Sequence, residues 1–226
     1  MDALSRNQPL FRPTPIPVKD HLILVPYFYD HSMLAELRRC AISHRRRFGG
    51  EWLQTEEFTL ITGFLGYPAL FTHLAYVAEF FPQRISLLGT AGSLNPELST
   101  TRLLQVTRIM GSGLLRRFSR SPVLNMGGPL LTGISPVTGV SVDMLQRETP
   151  AWLQRQRSRG ADIVEMELFP LRARLKRDIT AVVVLTDSVT ERGIHAFRQR
   201  DALLREFRRG WLAVTERSTP CRRAND

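Results

Sequence analysis

The chain has 226 residues, 43% of them hydrophobic and 23% charged, which is long enough for one α/β domain to bury a full core. No apolar run approaches the roughly 20 residues of a bilayer span, and the start of the chain lacks the apolar stretch of a signal peptide, so a cytoplasmic protein with no membrane partner is expected. The formal net charge of +10 invites a nucleic-acid reading, but of 31 basic residues only Lys19 and Lys176 are lysine, and the arginines are scattered without interleaved aromatics. That pattern looks like the codon bias of a GC-rich genome, and no specific nucleic-acid partner is expected.

Residues 1–19, with Pro13, Pro15 and Pro17, read as an extended leader before a domain spanning 20–218 and a short tail over 219–226. The apolar, β-branched run His21 to Tyr27 is a buried strand. Ser32 is a plausible N-cap for a helix from Met33 to about Arg47, ended by Gly49-Gly50. Phe58 to Gly63 is the next strand, and Pro68 sits in the first turn of a helix to about Phe81. Ile85 to Leu88 is a strand running into a Gly-rich turn over Gly89 to Pro96, and Leu103 to Met110 is another strand. Glycines and prolines crowd 111–129, which reads as a mobile loop, and Leu130 to Ile134 is a short strand. Thr149-Pro150 opens a helix to about Arg157, then a strand at Asp162 to Val164 leads into a helix over Met166 to Lys176. The strand Thr180 to Leu185 and a helix from Ala196 to about Glu216 complete the series. Strands alternating with helices give an α/β fold whose largely parallel or mixed sheet is covered on both faces.

Candidate chemistry gathers where strands end. Val164-Glu165-Met166-Glu167 and Leu185-Thr186-Asp187-Ser188 each put carboxylates after a β-branched run, where α/β proteins present their ligand sites. Carboxylates accept hydrogen bonds from hydroxyls and a methionine fills irregular space beneath a ring, a combination suited to a sugar. The bland alternative is that these acids complement helix N-termini. Cys40 and Cys221 have neither disulfide nor metal spacing, and Cys40 reads as a core residue. No metal and no cofactor is expected.

Taken in order, Gly63-Phe64-Leu65-Gly66, Gly89-Thr90-Ala91-Gly92-Ser93-Leu94, Val164-Glu165-Met166-Glu167 and Thr186-Asp187 resemble the nucleoside phosphorylase and nucleosidase superfamily over roughly residues 20–215. The resemblance implies a single-domain, three-layer phosphorylase/hydrolase-like α/β fold with a central mixed sheet. It also implies cleavage of the N-glycosidic bond of a purine-type nucleoside, and a homo-oligomer with a dimer favoured. Asp187 matches the acid that protonates the departing base, with Thr186 in place of the usual serine. Glu167 matches the glutamate that grips the ribose hydroxyls and Met166 the methionine under the sugar, while Glu165 is a supporting acid. Gly89, Thr90, Ala91 and Gly92 would line the ribose and the nucleophile with backbone, and Ser135 lies in the segment Leu130 to Val137 that corresponds to the base site. Phosphorylases of this superfamily carry an arginine just before the Gly-rich turn, where Leu87 and Leu88 stand here. Nucleosidases instead carry a glutamate in the loop after the first strand. That loop, Pro26 to His31, has none, which leaves Asp30 or His31 as the base that activates water. Water is therefore the expected nucleophile. The alternatives are a phosphorylase that recruits phosphate through Arg84 or a partner subunit's arginine, and a nucleoside-binding protein without turnover.

Overall fold

The computed structural model describes residues 16–77, 82–98, 100–143, 149–190, 193–197 and 199–215. Most of the expected leader, the tail and Cys221 lie outside these residues. In chain order the elements are β1 (His21–Val25), α1 (His31–Cys40), β2 (Ser43–Arg47), β3 (Gly50–Gln54), β4 (Phe58–Thr62), α2 (Gly66–Leu74), β5 (Arg84–Ser93), β6 (Leu103–Gly111), β7 (Val123–Asn125), β8 (Ser135–Ser141), α3 (Pro150–Ser158), β9 (Ile163–Glu165), α4 (Leu168–Leu175), β10 (Thr180–Thr190), β11 (Gly193–Ala196) and α5 (Arg200–Thr215).

Every residue of β1 and of β4 is buried, as expected of strands covered on both faces. Side-chain alternation decides which residue serves which layer. Leu22 and Leu24 of β1 pack in one cluster with Leu70 and Leu74 of α2 and Leu168 and Phe169 of α4. Ile23 and Val25 pack in another with Leu34 of α1 and Phe207 and Trp211 of α5. A third cluster joins Trp152 and Leu153 of α3 to Val140, Val164 and Val189. The result is the three-layer α/β arrangement read from the sequence.

β1 lies between β4 and β5, parallel to both. β5 also pairs with β10 in parallel and with β9 antiparallel. β10 pairs with β6, β6 with β8, and β8 with β9, so β5, β10, β6, β8 and β9 close into a ring of mixed direction. β4, β3 and β2 extend the sheet beyond β1. No helix among the described residues is long and apolar enough to cross a membrane.

Several sequence expectations are corrected. α1 stops at Cys40, which is exposed rather than in the core, and residues 43–47 form the edge strand β2, paired antiparallel with β3. Gly49-Gly50 does not stop a helix. Phe48 (φ 52°) and Gly49 (φ 77°) make a two-residue hairpin turn, whose positive φ values match the twist of paired strands. The cap of α1 is Asp30, which accepts the Met33 N–H at 3.1 Å, while the Ser32 hydroxyl donates to the same carboxylate at 2.6 Å. Leu130 to Ile134 is not a strand. The Gln105 side chain donates to the Pro129 carbonyl and accepts from the Leu131 amide, satisfying the backbone there in place of a ladder, and the strand β8 follows it. Residues 111–129 hold a 3-10 helix over Gly113–Phe118 and the strand β7. α2 ends at Leu74, and the rest of the helix expected to Phe81 is partly outside the described residues. The Gly-rich segment after Leu88 is strand rather than turn, because β5 continues to Ser93 between β10 and β9.

Candidate active site

The second half of β5 forms the floor of a cavity of about 520 Å³, walled by β9 and its continuation into α4, by β10, and by the loop after β1. The register of β10 on β5 shifts between Leu185 and Asp187, and this irregularity sets Asp187 opposite Gly92. A Cβ on Gly92 would stand 2.7 Å from Asp187 Oδ2 and 2.8 Å from Val189 Cγ2, so the missing side chain is what admits the carboxyl. The Thr186 hydroxyl donates to Asp187 Oδ1 at 2.7 Å. Burial raises the Asp187 pKa above the ordinary carboxylate value, and the Thr186 bond only partly offsets it.

β9 delivers the other two acids. Glu165 accepts the Ser141 hydroxyl and, at 2.7 Å each, the N–H groups of Glu167 and Leu168, so it satisfies the start of α4. Burial, reinforced by the Glu167 charge, outweighs those three donors and pushes its pKa up to about 8. Ser141 in turn accepts the Phe169 N–H at 2.9 Å, fixing α4 against β8. Glu167 is buried, and its Oε1 accepts the Gly66 N–H at 2.7 Å. Gly66 takes φ 71°, a left-handed conformation that glycine adopts without strain, and so aims its amide at the carboxylate. Burial raises the Glu167 pKa too, against the Gly66 and Met166 amides. Met166 lies between the two glutamates, half-buried and facing the cavity.

The structure therefore brings Glu165, Met166, Glu167, Asp187, Thr90, Ala91 and Gly92 to one cavity. Gly89, just before them, packs against Leu87 and Val183 and does not line it. Ser135 is exposed at the amino end of β8, whereas the carboxyl end of that strand, at Ser141, is the end beside Glu165. Asp30 does not line the cavity either. Its carboxylate is occupied by the α1 cap and by Arg208, whose Nε donates to it at 2.5 Å. Burial alone would raise its pKa, but Ser32, Arg208 and the Met33 amide hold it down to about 2. His31 is exposed as the first residue of α1, its ring 6.2 Å from that of Tyr27. Arg84 sits at the amino end of β5, with its guanidinium 3.2 Å from His21 Nδ1, so it is remote from the carboxyl half that carries the cavity. The loop after β1 instead presents Pro26, Tyr27 and Tyr29, which sequence reasoning passed over. Two tyrosines spaced i, i+2 immediately after a buried strand were the available signal. Val142, Val189 and Ile194 complete the apolar wall and carry no sequence mark that separates them from core residues. Among the described residues, no cluster of three or more His, Cys, Asp or Glu is placed to hold a metal ion. Among the described residues, the cavity lining combines carboxyls and hydroxyls with apolar walls and includes no cationic side chain.

No protein-family model and no curated protein sequence matches the chain. Solved structures do. The chain is similar to the purine nucleoside phosphorylase of Toxoplasma gondii bound to immucillin-H, with a TM-score of 0.63 and 16% identity over 92% of this chain and 95% of that one. It is similar to the AMP nucleosidase of Bacteroides thetaiotaomicron, with a TM-score of 0.62 and 14% identity over 88% and 90% of the two chains. The S-adenosylhomocysteine nucleosidase of Streptococcus pyogenes gives a TM-score of 0.61 and 14% identity over 90% and 98%. Near-complete coverage on both sides at such low identity is a likeness of fold, and the fold of this chain is the one shared by nucleoside phosphorylases and nucleosidases.

Proposed function

We propose that the protein cleaves the N-glycosidic bond of a purine-type nucleoside with water as the nucleophile. The observation that carries this reading is the convergence of Asp187 and Glu167, both with raised pKa values, on one cavity whose lining among the described residues holds no cationic side chain. Departure of a purine needs a proton on the base and stabilisation of positive charge on the ribose. Asp187, whose pKa burial raises above the ordinary carboxylate value, supplies the proton. Glu167 keeps Oε1 on the Gly66 amide and turns Oε2 to the ribose hydroxyls, which fixes the ring and offsets the charge that develops on it. Met166 packs beneath the sugar.

Phosphate would have to shed its hydration into this cavity with no charged donor from the described lining, a costly transfer. Water meets no such barrier. The test is a panel of purine nucleosides incubated with and without phosphate, scored for free base and for ribose against ribose 1-phosphate. Ribose release indifferent to phosphate is expected. A strict phosphate requirement would favour phosphorolysis with an arginine from a partner subunit, and binding without base release under either condition would leave a nucleoside-binding protein.

A further inference from the structure

Asp30 is committed to α1 and Arg208, and neither it nor His31 lines the cavity, so the residue that faces the reacting centre from this loop has to be another. Tyr29 is that residue. It follows β1 by four positions, is half-buried, and lines the cavity together with Thr90 of β5. Its phenol shares the cavity wall with the Thr90 side chain and with the Asp187 carboxyl. The ring is held in place from two sides, with centroids 4.7 Å from Tyr27 and 5.9 Å from the fully buried Phe207 of α5. Its hydroxyl is thus fixed by packing on a rigid layer, as a site that orients a small ligand requires.

We infer that the paired hydroxyls of Tyr29 and Thr90 hold the water that attacks the ribose, an inference that rests on the hydrolytic reading above. Burial raises the Tyr29 pKa, so the phenol stays protonated and acts as a donor and acceptor rather than as a base. The chemistry accommodates this. The C1′–N bond breaks with its electron pair leaving on the base, which takes the Asp187 proton. A lone pair of the held water forms the new C1′–O bond to the cationic ribose. The oxygen so attached is strongly acidic, and it loses a proton along the two hydroxyls to solvent at the mouth of the cavity, where Tyr27, Leu65 and Ile194 are exposed. Asp187 regains a proton from solvent, and the sum is nucleoside plus water giving free base and ribose. An enzyme working this way needs an oriented water more than a strong base, which fits a loop that lacks glutamate.

Tyr29→Phe keeps the ring and its packing while removing the hydroxyl. We expect kcat to fall by roughly 10- to 100-fold with little change in KM, the pattern for a group that positions a reactant in the transition state. Thr90→Val should give a similar loss, and the double variant little more, because the two hydroxyls serve one water. The readout that separates water positioning from mere structural damage is cleavage in a water–methanol mixture. Wild type should yield ribose well in excess of methyl riboside, and Tyr29→Phe should move the products toward the molar ratio of the solvents. Wild-type turnover in Tyr29→Phe, or lost turnover with the product ratio unchanged, would overturn the inference and leave the hydrolase reading standing. Failure of the wild type to cleave any nucleoside without phosphate, with its melting curve intact, would overturn both.

Discussion

Gly92→Ala is the sharpest perturbation of the acid assignment, because it alters no polar group. The added methyl would lie 2.7 Å from Asp187 Oδ2, 2.8 Å from Val189 Cγ2 and 3.2 Å from Val164 Cγ1. Restoring an ordinary contact of at least 3.4 Å requires about 0.7 Å of movement by the carboxyl, and both valines crowd the same methyl. Overpacking of this kind costs about 1–3 kcal/mol, which for a domain of this size lowers Tm by roughly 2–12 °C. A misplacement near 1 Å costs on the order of 100-fold in rate when geometry limits catalysis. The expected result is therefore a folded protein, somewhat less stable, with base release down by roughly two orders of magnitude. Gly139→Ala is the control, since its methyl meets the tip of Ile109 at 2.8 Å and it does not line the cavity. It should lose stability and keep its turnover. Thermal melts run beside a base-release assay decide the matter. Gly92→Ala that melts lower but turns over like wild type would refute the claim that Asp187, held where it is, donates the proton.

Asp187→Asn keeps the shape of the side chain and loses the proton, so turnover should fall by ~10²–10⁴ while nucleoside affinity by calorimetry changes little; unchanged turnover would exclude Asp187 as the acid. Glu165, pushed from its ordinary 4.5 up to about 8, favours the protonated form in the folded state, so its contribution to stability is complete below 4.5 and is lost as pH rises through about 8. Glu165→Gln mimics the protonated acid, and its Tm should decline less than that of wild type between acid and alkaline pH; parallel curves would contradict the raised value. Asp30 runs the other way: held down to about 2 from 3.8, it stabilises the fold above 3.8 and that contribution disappears as pH falls through about 2. Asp30→Ala should cost about 1 kcal/mol at neutral pH through the lost cap, converge with wild type in strong acid, and keep kcat within a few-fold, whereas a collapse of kcat without unfolding would restore Asp30 as the base.

The parts of the fold that the sequence disclosed are those set by runs of buried apolar residues. β1, β4, β6 and the first half of β10 are such runs, and the Thr149-Pro150 start of α3 follows directly from capping chemistry. β2 escaped because Ser43 to Arg47 is an exposed edge, where no hydrophobic period exists to distinguish a strand from a helix and arginine is a good helix former. β8 escaped because Pro136 and Gly139 interrupt it, and because its neighbour Leu130 to Ile134 is more apolar yet is held as a loop by the side chain of Gln105. At the site, Glu165, Met166, Glu167 and Asp187 were readable as a short cluster of acids around a methionine. Asp30 was not, since a carboxylate directly before a helix serves equally as a cap or as a base until the position of Arg208, far along the chain, is known. Tyr29 was hidden for the same reason: only the fold shows which of the two faces of the loop meets β5.

The closed ring of β5, β10, β6, β8 and β9 also governs how the protein can be made. β10 bridges β5 and β6, yet it follows the end of β6 by 69 residues, counting from Gly111 to Thr180. At a synthesis rate of about 5–20 residues per second, the two waiting strands spend roughly 3–14 s with unpaired edges before their partner is translated. During that interval the nascent chain offers long, apolar strands to any other chain in reach. Yield of the native protein should therefore depend on translation speed and on chaperones that shield β5 and β6, and a ribosome stalled before Thr180 releases a chain that lacks both its closing strand and Asp187.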